Sequence, residues 1–229
     1  MKLMAIGAHP DDIEIFMYGL ISLCKKKGDD IFLCVVTDGS LGGEKQGVSL
    51  AKTRKQETLN GLHNIAIPYF LGFPDGNLIN DYLARKVIFD YITDIKPDLI
   101  VTHAPEDYHV DHKALSLYVT ECANFHYPVL FSDTLMGVNF VPNYYVDITS
   151  CFQSKREAIL AHKSQNPQKF FEATKLQNRF RAAQCNSPKD TYAEAYRFDP
   201  KFPFCDIRNL IPPGPIYRPY YIKNSQGFL

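Results

Sequence analysis

The sequence predicts an α/β fold in three layers, α/β/α, with a mostly parallel sheet between helices. Two observations predict it. Short apolar runs alternate with helix-length segments up to about residue 125, and a β-α-β-α order places crossover helices on both faces of a parallel sheet. Four of the apolar runs also end in polar loops rich in Asp, Gly and His, the type of loop that carries ligands beyond the carboxyl ends of parallel strands.

The elements follow in chain order. "KLMAIGA" (2–8) reads as a first strand, and "IEIFMYGLISLCKKKG" (13–28) has helical spacing with a basic last turn closed by Gly28. "DIFLCVVT" (30–37) is a second strand. Residues 50–63 read as a helix, "IPYFLG" (67–72) as extended and 80–94 as a helix. "PDLIVTH" (97–103) is another buried strand, followed by a helix from about 111 to 124. Beyond 125 the periodicity is weaker: "NYYVDIT" (143–149) reads as a strand, and "SKREAILAHKSQN" (154–166) and much of 168–185 as helices. With no repeat, low-complexity stretch or linker, the 229 residues are expected to form a single domain. Its core spans about 2–166, and a helical, aromatic-rich extension covers about 167–229.

Composition narrows the function classes. Acidic and basic residues balance at 25 each, which points away from nucleic acid and anionic membrane surfaces and is compatible with a homo-oligomer. The start of the chain lacks the pattern of a signal peptide, and no apolar run is long enough for an integral membrane segment. The six cysteines form no C-x-x-C pair; Cys34 falls in a strand-like run and Cys24 and Cys122 in helix-like ones, as reduced core residues of a cytoplasmic protein would. "SLGGEKQG" (40–47) lacks the G-K-[ST] ending of a phosphate-binding loop, and the first strand is not followed by G-x-G-x-x-G. Nucleoside triphosphates and dinucleotides are therefore not expected.

Metal-capable side chains concentrate in H-P-D-D at 9–12 and H-V-D-H at 109–112, each after a buried strand. Two histidines and a carboxylate make a common zinc set that leaves one position for water, and zinc brings the pKa of water to about 7. A further carboxylate beside the ion can accept the proton, and adjacent Asp11 and Asp12 can divide these roles. Pro10 fixes its own φ and biases His9 to an extended backbone. Taken singly, each cluster also reads as helix capping or a polar surface; their expected meeting at one sheet edge favours a metal site.

The segments "AHPDDIEI", "TDGSLGG", "FPDGNL", "HAPEDYHVDH" and "AHKSQ", in this order, resemble the PIG-L/LmbE-like deacetylases, zinc-dependent enzymes with a Rossmann-like fold that remove N-acetyl groups from glucosamine-containing molecules. The resemblance covers roughly residues 3 to 166. It implies His9, Asp12 and His112 as zinc ligands, Asp11 as general base, His109 as oxyanion stabiliser and acid, and Asp111 as the group that orients His109. It also implies substrate contacts from Arg54 and Asp75, with Gln165 helping to line the site. Val110, where proline is frequent, and Tyr18, in a usually small-residue stretch, depart from the pattern without removing a catalytic atom. Fe(II) suits the same ligands. The implied substrate is a small amino sugar or its conjugate, with the aglycone open. A metal hydrolase of another small amide and an inert sugar-binding module are the alternatives. Read from its residues alone, Arg54 among Lys52 and Lys55 is a solvated helix face, Asp75-Gly76-Asn77 is a turn, His162 is a structural histidine, and His103 is local or supporting.

Overall fold

The computed structural model describes residues 1–43 and 46–216. Its strands are β1 (Lys2–Gly7), β2 (Asp30–Thr37), β3 (Tyr69–Phe73), β4 (Leu99–His103), β5 (Val129–Ser132), β6 (Tyr144–Asp147) and β7 (Ala193–Phe198). Its α-helices are α1 (Asp12–Phe16), α2 (Tyr18–Lys27), α3 (Val48–Leu62), α4 (Tyr82–Ile95), α5 (Val110–Ala123), α6 (Phe152–Leu160) and α7 (Pro167–Gln184). The strands form one seven-stranded sheet in the order β3-β2-β1-β4-β5-β7-β6. Only β7 runs against its neighbours.

Strand alternation builds the two faces. Leu3 and Ala5 of β1 join a core with Met17, Leu20 and Ile21 of the α1–α2 region, Leu62 of α3 and Ala158 of α6. Met4 and Ile6, pointing the other way, join Ile88 and Ile92 of α4 and Leu115 and Val119 of α5. Helices therefore cover both faces, and every central strand is apolar on both sides.

The helix expected over 13–28 is broken at Met17 (φ −131°, ψ −5°) into α1 and α2. The break exposes the first N–H groups of α2, and a carboxylate from β7 collects them. Gly19 and Leu20 donate to Glu194 at 2.7 and 2.8 Å. Lys155 Nζ and Tyr196 Oη donate to the same carboxylate, each at 2.6 Å. Four donors satisfy a buried anion that would be costly alone. Gly19 is required here because a Cβ would enter the space of Ile148 and Glu194.

The sequence reading contained no counterpart to β5 or β7, and α6 ends at Leu160, short of the expected 166. Lys163–Gln165 form a separate 3-10 turn. That turn, not a continued helix, carries Gln165 toward the sheet edge. The aromatic tail beyond residue 216 and Glu44 and Lys45 of the glycine-rich loop lie outside the described residues. Among the described residues, no helix is long and apolar enough to cross a membrane.

Candidate active site

β1 leads outward to β2 and β3 on one side, and β4 begins the other side. The crevice beyond the carboxyl ends of β1 and β4 is thus the switch point where α/β sheets hold ligands. The loop after β1 and the start of α1 bring His9, Asp11 and Asp12, and the loop after β4 and the start of α5 bring Asp107, His109, Asp111 and His112. All of them except the fully buried Asp111 line a cleft of about 440 Å³ together with Arg54, Asp75, Gln165 and Phe170.

His9, Asp12 and His112 meet. His9 Nδ1 is 3.2 Å from His112 Nε2 and 3.3 Å from Asp12 Oδ2, and His112 Nε2 is 3.3 Å from Asp12 Oδ1. Four ligands around zinc at about 2.0–2.1 Å stand about 3.3–3.4 Å apart in a tetrahedron; the two nitrogens stand near that spacing, and each lies that far from a different oxygen of Asp12. The far nitrogens fit as well. His112 Nδ1 lies 2.9 Å from Asp107 Oδ2, and His9 Nε2 lies 3.2 Å from Asp111 Oδ2 and 3.3 Å from Asp75 Oδ1. A carboxylate behind each imidazole is the usual way a ligating nitrogen is aimed and kept basic. Among the described residues, three overlapping groups have ligand atoms all within 4.8 Å of one another: His9, His109 and His112; Asp12, His103 and His112; and His9, Asp75 and Asp111. His103 Nε2 is 3.1 Å from Asp12 Oδ2, but it also accepts the Ala8 N–H at 3.1 Å. The His103 ring stacks on His112 at 3.7 Å and so supports it from below.

Adjacent Asp11 and Asp12 experience different fields. Burial raises Asp11 to about 6, against the pull of Arg54 and with the repulsion of Asp12 added. Burial would also raise Asp12, but the charges and hydrogen bonds of His112 and His103 hold it well below the carboxylate range. One carboxyl stays ionised while its neighbour titrates near neutrality, the separation that assigns acid–base roles. Asp11 holds φ 121°, a backbone strain of about 1–3 kcal/mol for a non-glycine residue. Its side chain does not cap α1. Instead it accepts from Arg54 Nη2 at 3.1 Å, while Arg54 also donates to Pro10 O at 2.6 Å and Gly39 O at 3.0 Å.

His109 is the N-cap of α5, its Nδ1 accepting the Asp111 N–H at 3.3 Å. Neutral His109 must then carry its proton on Nε2. Burial and the charges of His9 and His112 lower its pKa, which favours that neutral form.

Several expected contacts are placed differently. The Asp111 carboxylate turns away from His109; it accepts Gly76 N–H at 2.7 Å and Leu78 N–H at 3.1 Å and faces His9. Only its backbone reaches His109, because α5 begins between them. Arg54 is buried with its guanidinium committed to Asp11 and two carbonyls. Asp75 is buried, accepting Leu41 N–H at 3.0 Å. His162 pairs with buried Glu14 at 2.7 Å, a structural role. Asp107 was not singled out in the sequence; a carboxylate five residues before His112, in the loop that leads into α5, was the available signal.

A family model described as PIG-L: GlcNAc-PI de-N-acetylase matches residues 4–123. The diacetylchitobiose deacetylase of Thermococcus kodakarensis is 28% identical, over 87% of this chain and 83% of that protein. A Bacillus subtilis protein described as "Probable N-acetyl-alpha-D-glucosaminyl L-malate deacetylase 2" is 33% identical over 48% of this chain and 55% of its own length. Among solved structures, the 4-carboxy-2-hydroxymuconate hydratase of Pseudomonas putida KT2440 superposes with a TM-score of 0.77 at 18% identity, covering 87% of this chain and 97% of that one. That likeness concerns the fold alone, since one fold hosts many chemistries.

Proposed function

The chain belongs to the PIG-L family, and on that premise we propose that it is a metal-dependent hydrolase that removes the N-acetyl group from an N-acetylglucosamine-type sugar or conjugate. The similarity to two N-acetylglucosaminyl deacetylases with different aglycones supports the amide and the sugar. The observation that carries the reading is the mutual 3.2–3.3 Å spacing of His9, Asp12 and His112 beside a second carboxyl, Asp11, that titrates near neutrality.

His9, Asp12 and His112 would hold zinc, or Fe(II), which suits the same donors. When bound, the ion supplies Lewis acidity for the amide carbonyl and acidifies water. Asp11 takes the proton of the attacking water on its carboxylate; a pKa of about 6 leaves it ionised at neutral pH and basic enough to act. His109 Nε2–H donates to the carbonyl oxygen as charge gathers there. C–N cleavage requires a proton on the departing nitrogen, because an amide anion is a very poor leaving group. Asp11, now protonated, or His109 provides it. The products are acetate and a free amine.

In this reading Arg54 would fix Asp11, Asp111 and Asp75 would hold His9, and Gln165, which lines the cleft, would meet sugar hydroxyls. Four buried free cysteines, Cys24, Cys34, Cys122 and Cys151, suit the reducing cytoplasm.

Metal content and acetate release test the proposal across N-acetylglucosamine conjugates and simple N-acetyl amino acids. Asp11→Ala is expected to keep its metal and lose turnover; His112→Ala is expected to lose both. Full activity in either variant would overturn the roles, and release confined to N-acetyl amino acids would overturn the sugar.

A further inference from the structure

Gln165 reaches the cleft at the end of the 3-10 turn Lys163–Gln165. Buried acids pin this turn to the body of the protein. His162, just before it, pairs with Glu14 of α1 at 2.7 Å. Ser164 meets Glu57 of α3 twice: its N–H donates to Oε1 at 2.8 Å and its hydroxyl to Oε2 at 2.6 Å. Glu57 is buried, like Arg54 three residues before it, so both project from the inner face of α3. Arg54 donates to Asp11 at 3.1 Å. One helix face thus serves both Asp11 and the wall of the cleft.

The donors and acceptors form a chain with one direction. A carboxylate only accepts, so the single hydroxyl hydrogen of Ser164 is spent on Glu57 Oε2. Ser164 Oγ is left with lone pairs alone. The atom of Gln165 that stands 3.1 Å from it must then be the amide nitrogen, because a carbonyl oxygen there would face lone pairs. A carboxamide turned end for end keeps its shape and exchanges donor for acceptor; here Glu57, through Ser164, fixes which end is which. Oε1 consequently stands on the Gly42 side, where a Cβ would come within 3.0 Å of it, and Gly42 and Gln165 both line the catalytic cleft. The loop amides beside it are engaged elsewhere, Gly42 N–H with Gly39 O at 3.4 Å and Gly43 N–H with Leu41 O at 3.0 Å.

We infer that Glu57 is a positioning residue for substrate selection: through Ser164 it holds Gln165 with its carbonyl oxygen toward the cleft, so that the site requires a sugar hydroxyl able to donate at that point. The inference rests on the deacetylase reading above, and the test separates the two. A site built to accept from a hydroxyl rejects an analogue that cannot donate, since its acceptor is left unpaired. The probes are N-acetylglucosamine and the analogues in which one hydroxyl at a time is replaced by fluorine, which is of similar size and cannot donate. With zinc-loaded wild type, at least one fluoro analogue is expected to fall about tenfold in kcat/KM. Glu57→Gln offers Ser164 Oγ an N–H, frees the hydroxyl hydrogen to turn to Gln165, and lets the carboxamide present its nitrogen to the cleft. Its KM for N-acetylglucosamine is expected to rise about tenfold with a much smaller change in kcat, and the fluoro penalty to shrink to about twofold. Ser164→Ala, which removes the relay while keeping the backbone N–H for Glu57, is expected to flatten the ratio likewise, as is Gln165→Ala. Glu57→Gln combined with Gln165→Ala should flatten it no further than either alone. A Glu57 that served the fold alone would lower the rates on all probes alike and keep the wild-type ratio; that outcome, or the absence of any fluoro penalty in wild type, would overturn the inference. Calorimetric titration of the same probes into Asp11→Asn protein reads binding without turnover. A fluoro penalty in binding that Glu57→Gln removes, with no acetate from any probe in wild type, would overturn the hydrolytic reading and keep the positioning role. Acetate release with equal rates and binding across the probes would overturn the positioning role alone.

Discussion

Asp107 stands behind His112: its Oδ2 lies 2.9 Å from His112 Nδ1, and its Oδ1 accepts the His109 N–H at 2.9 Å. One carboxylate thus orients His112 and shapes the loop that carries His109. On the proposed metal site, it would fix the tautomer that turns His112 Nε2 toward the ion. Asp107→Asn is expected to lower metal affinity by about 10–100-fold, with loss of acetate release that excess zinc partly restores. Equilibrium dialysis against a competing chelator checks the affinity, and unchanged affinity would remove Asp107 from this role.

Arg54 acts on Asp11 through charge and position. It opposes the rise in Asp11 pKa caused by burial, so its removal should drive that pKa above about 6. Arg54→Gln should therefore move the acid limb of kcat to higher pH and lower kcat at pH 7. A positioning residue should leave KM comparatively unaffected, whereas a direct sugar contact would raise KM and leave the acid limb in place. A pH–rate profile for both proteins separates these outcomes.

The meeting of His9, Asp12 and His112 was legible because they lie in two compact motifs that directly follow strands of strong apolar character. The hydrogen-bond partners of Arg54, Asp75 and Asp111 were not, because sequence places a residue on an element without saying which way its side chain turns. Arg54 lies between two lysines and looks solvated, yet it is buried. β7, "AEAYRF", escaped notice because its Glu194 and Arg197 imply an exposed strand. Lys155, 39 positions away, supplies the charge that lets Glu194 be buried. The break at Met17 has the same origin, since the carboxylate that caps α2 comes from 175 residues further along.

That distant cap should govern stability. Glu194→Gln leaves the fully buried Lys155 ammonium without its counter-charge and weakens the start of α2. The expected loss is about 3–5 kcal/mol, a fall in Tm on the order of 10 °C for a chain of this size. Lys155→Met combined with Glu194→Gln should cost less than the two single changes added, since they share one interaction. Denaturant unfolding of the four proteins completes the cycle, and strict additivity would show that the pair is not coupled.

His162 gives a pH signature away from the metal. Burial lowers its pKa, but the charge and hydrogen bond of Glu14 prevail and raise it above the ordinary imidazole value. A raised folded-state pKa stabilises the native form fully below the unfolded value of about 6.5, and the contribution fades as pH climbs through the folded value. His162→Gln should thus cost most near pH 6, about 3–5 kcal/mol, and less toward pH 9. The difference between wild-type and variant urea midpoints across that range is the measurement; a difference that grows with pH would contradict the pairing.

Metal loading should itself move protons. In the metal-free protein, burial opposes protonation of His112, yet the charge of Asp12 and the hydrogen bond to Asp107 raise its pKa to about 9. His9 is likewise raised, by hydrogen bonds to Asp111, Asp12 and Asp75 that overcome burial. His9 Nδ1 and His112 Nε2 stand 3.2 Å apart in one hydrogen bond, so at pH 7.5 they hold a single proton between them, one that a cation placed there would expel. Apparent zinc affinity should rise steeply with pH through neutrality, by about tenfold per unit for each proton displaced, and flatten above about pH 9 as His112 becomes neutral without help. Calorimetry in buffers of different ionisation enthalpy counts the protons directly. Release of about one proton at pH 7.5 is expected for wild type, whereas zinc uptake without proton release would place the ion elsewhere than between these imidazoles.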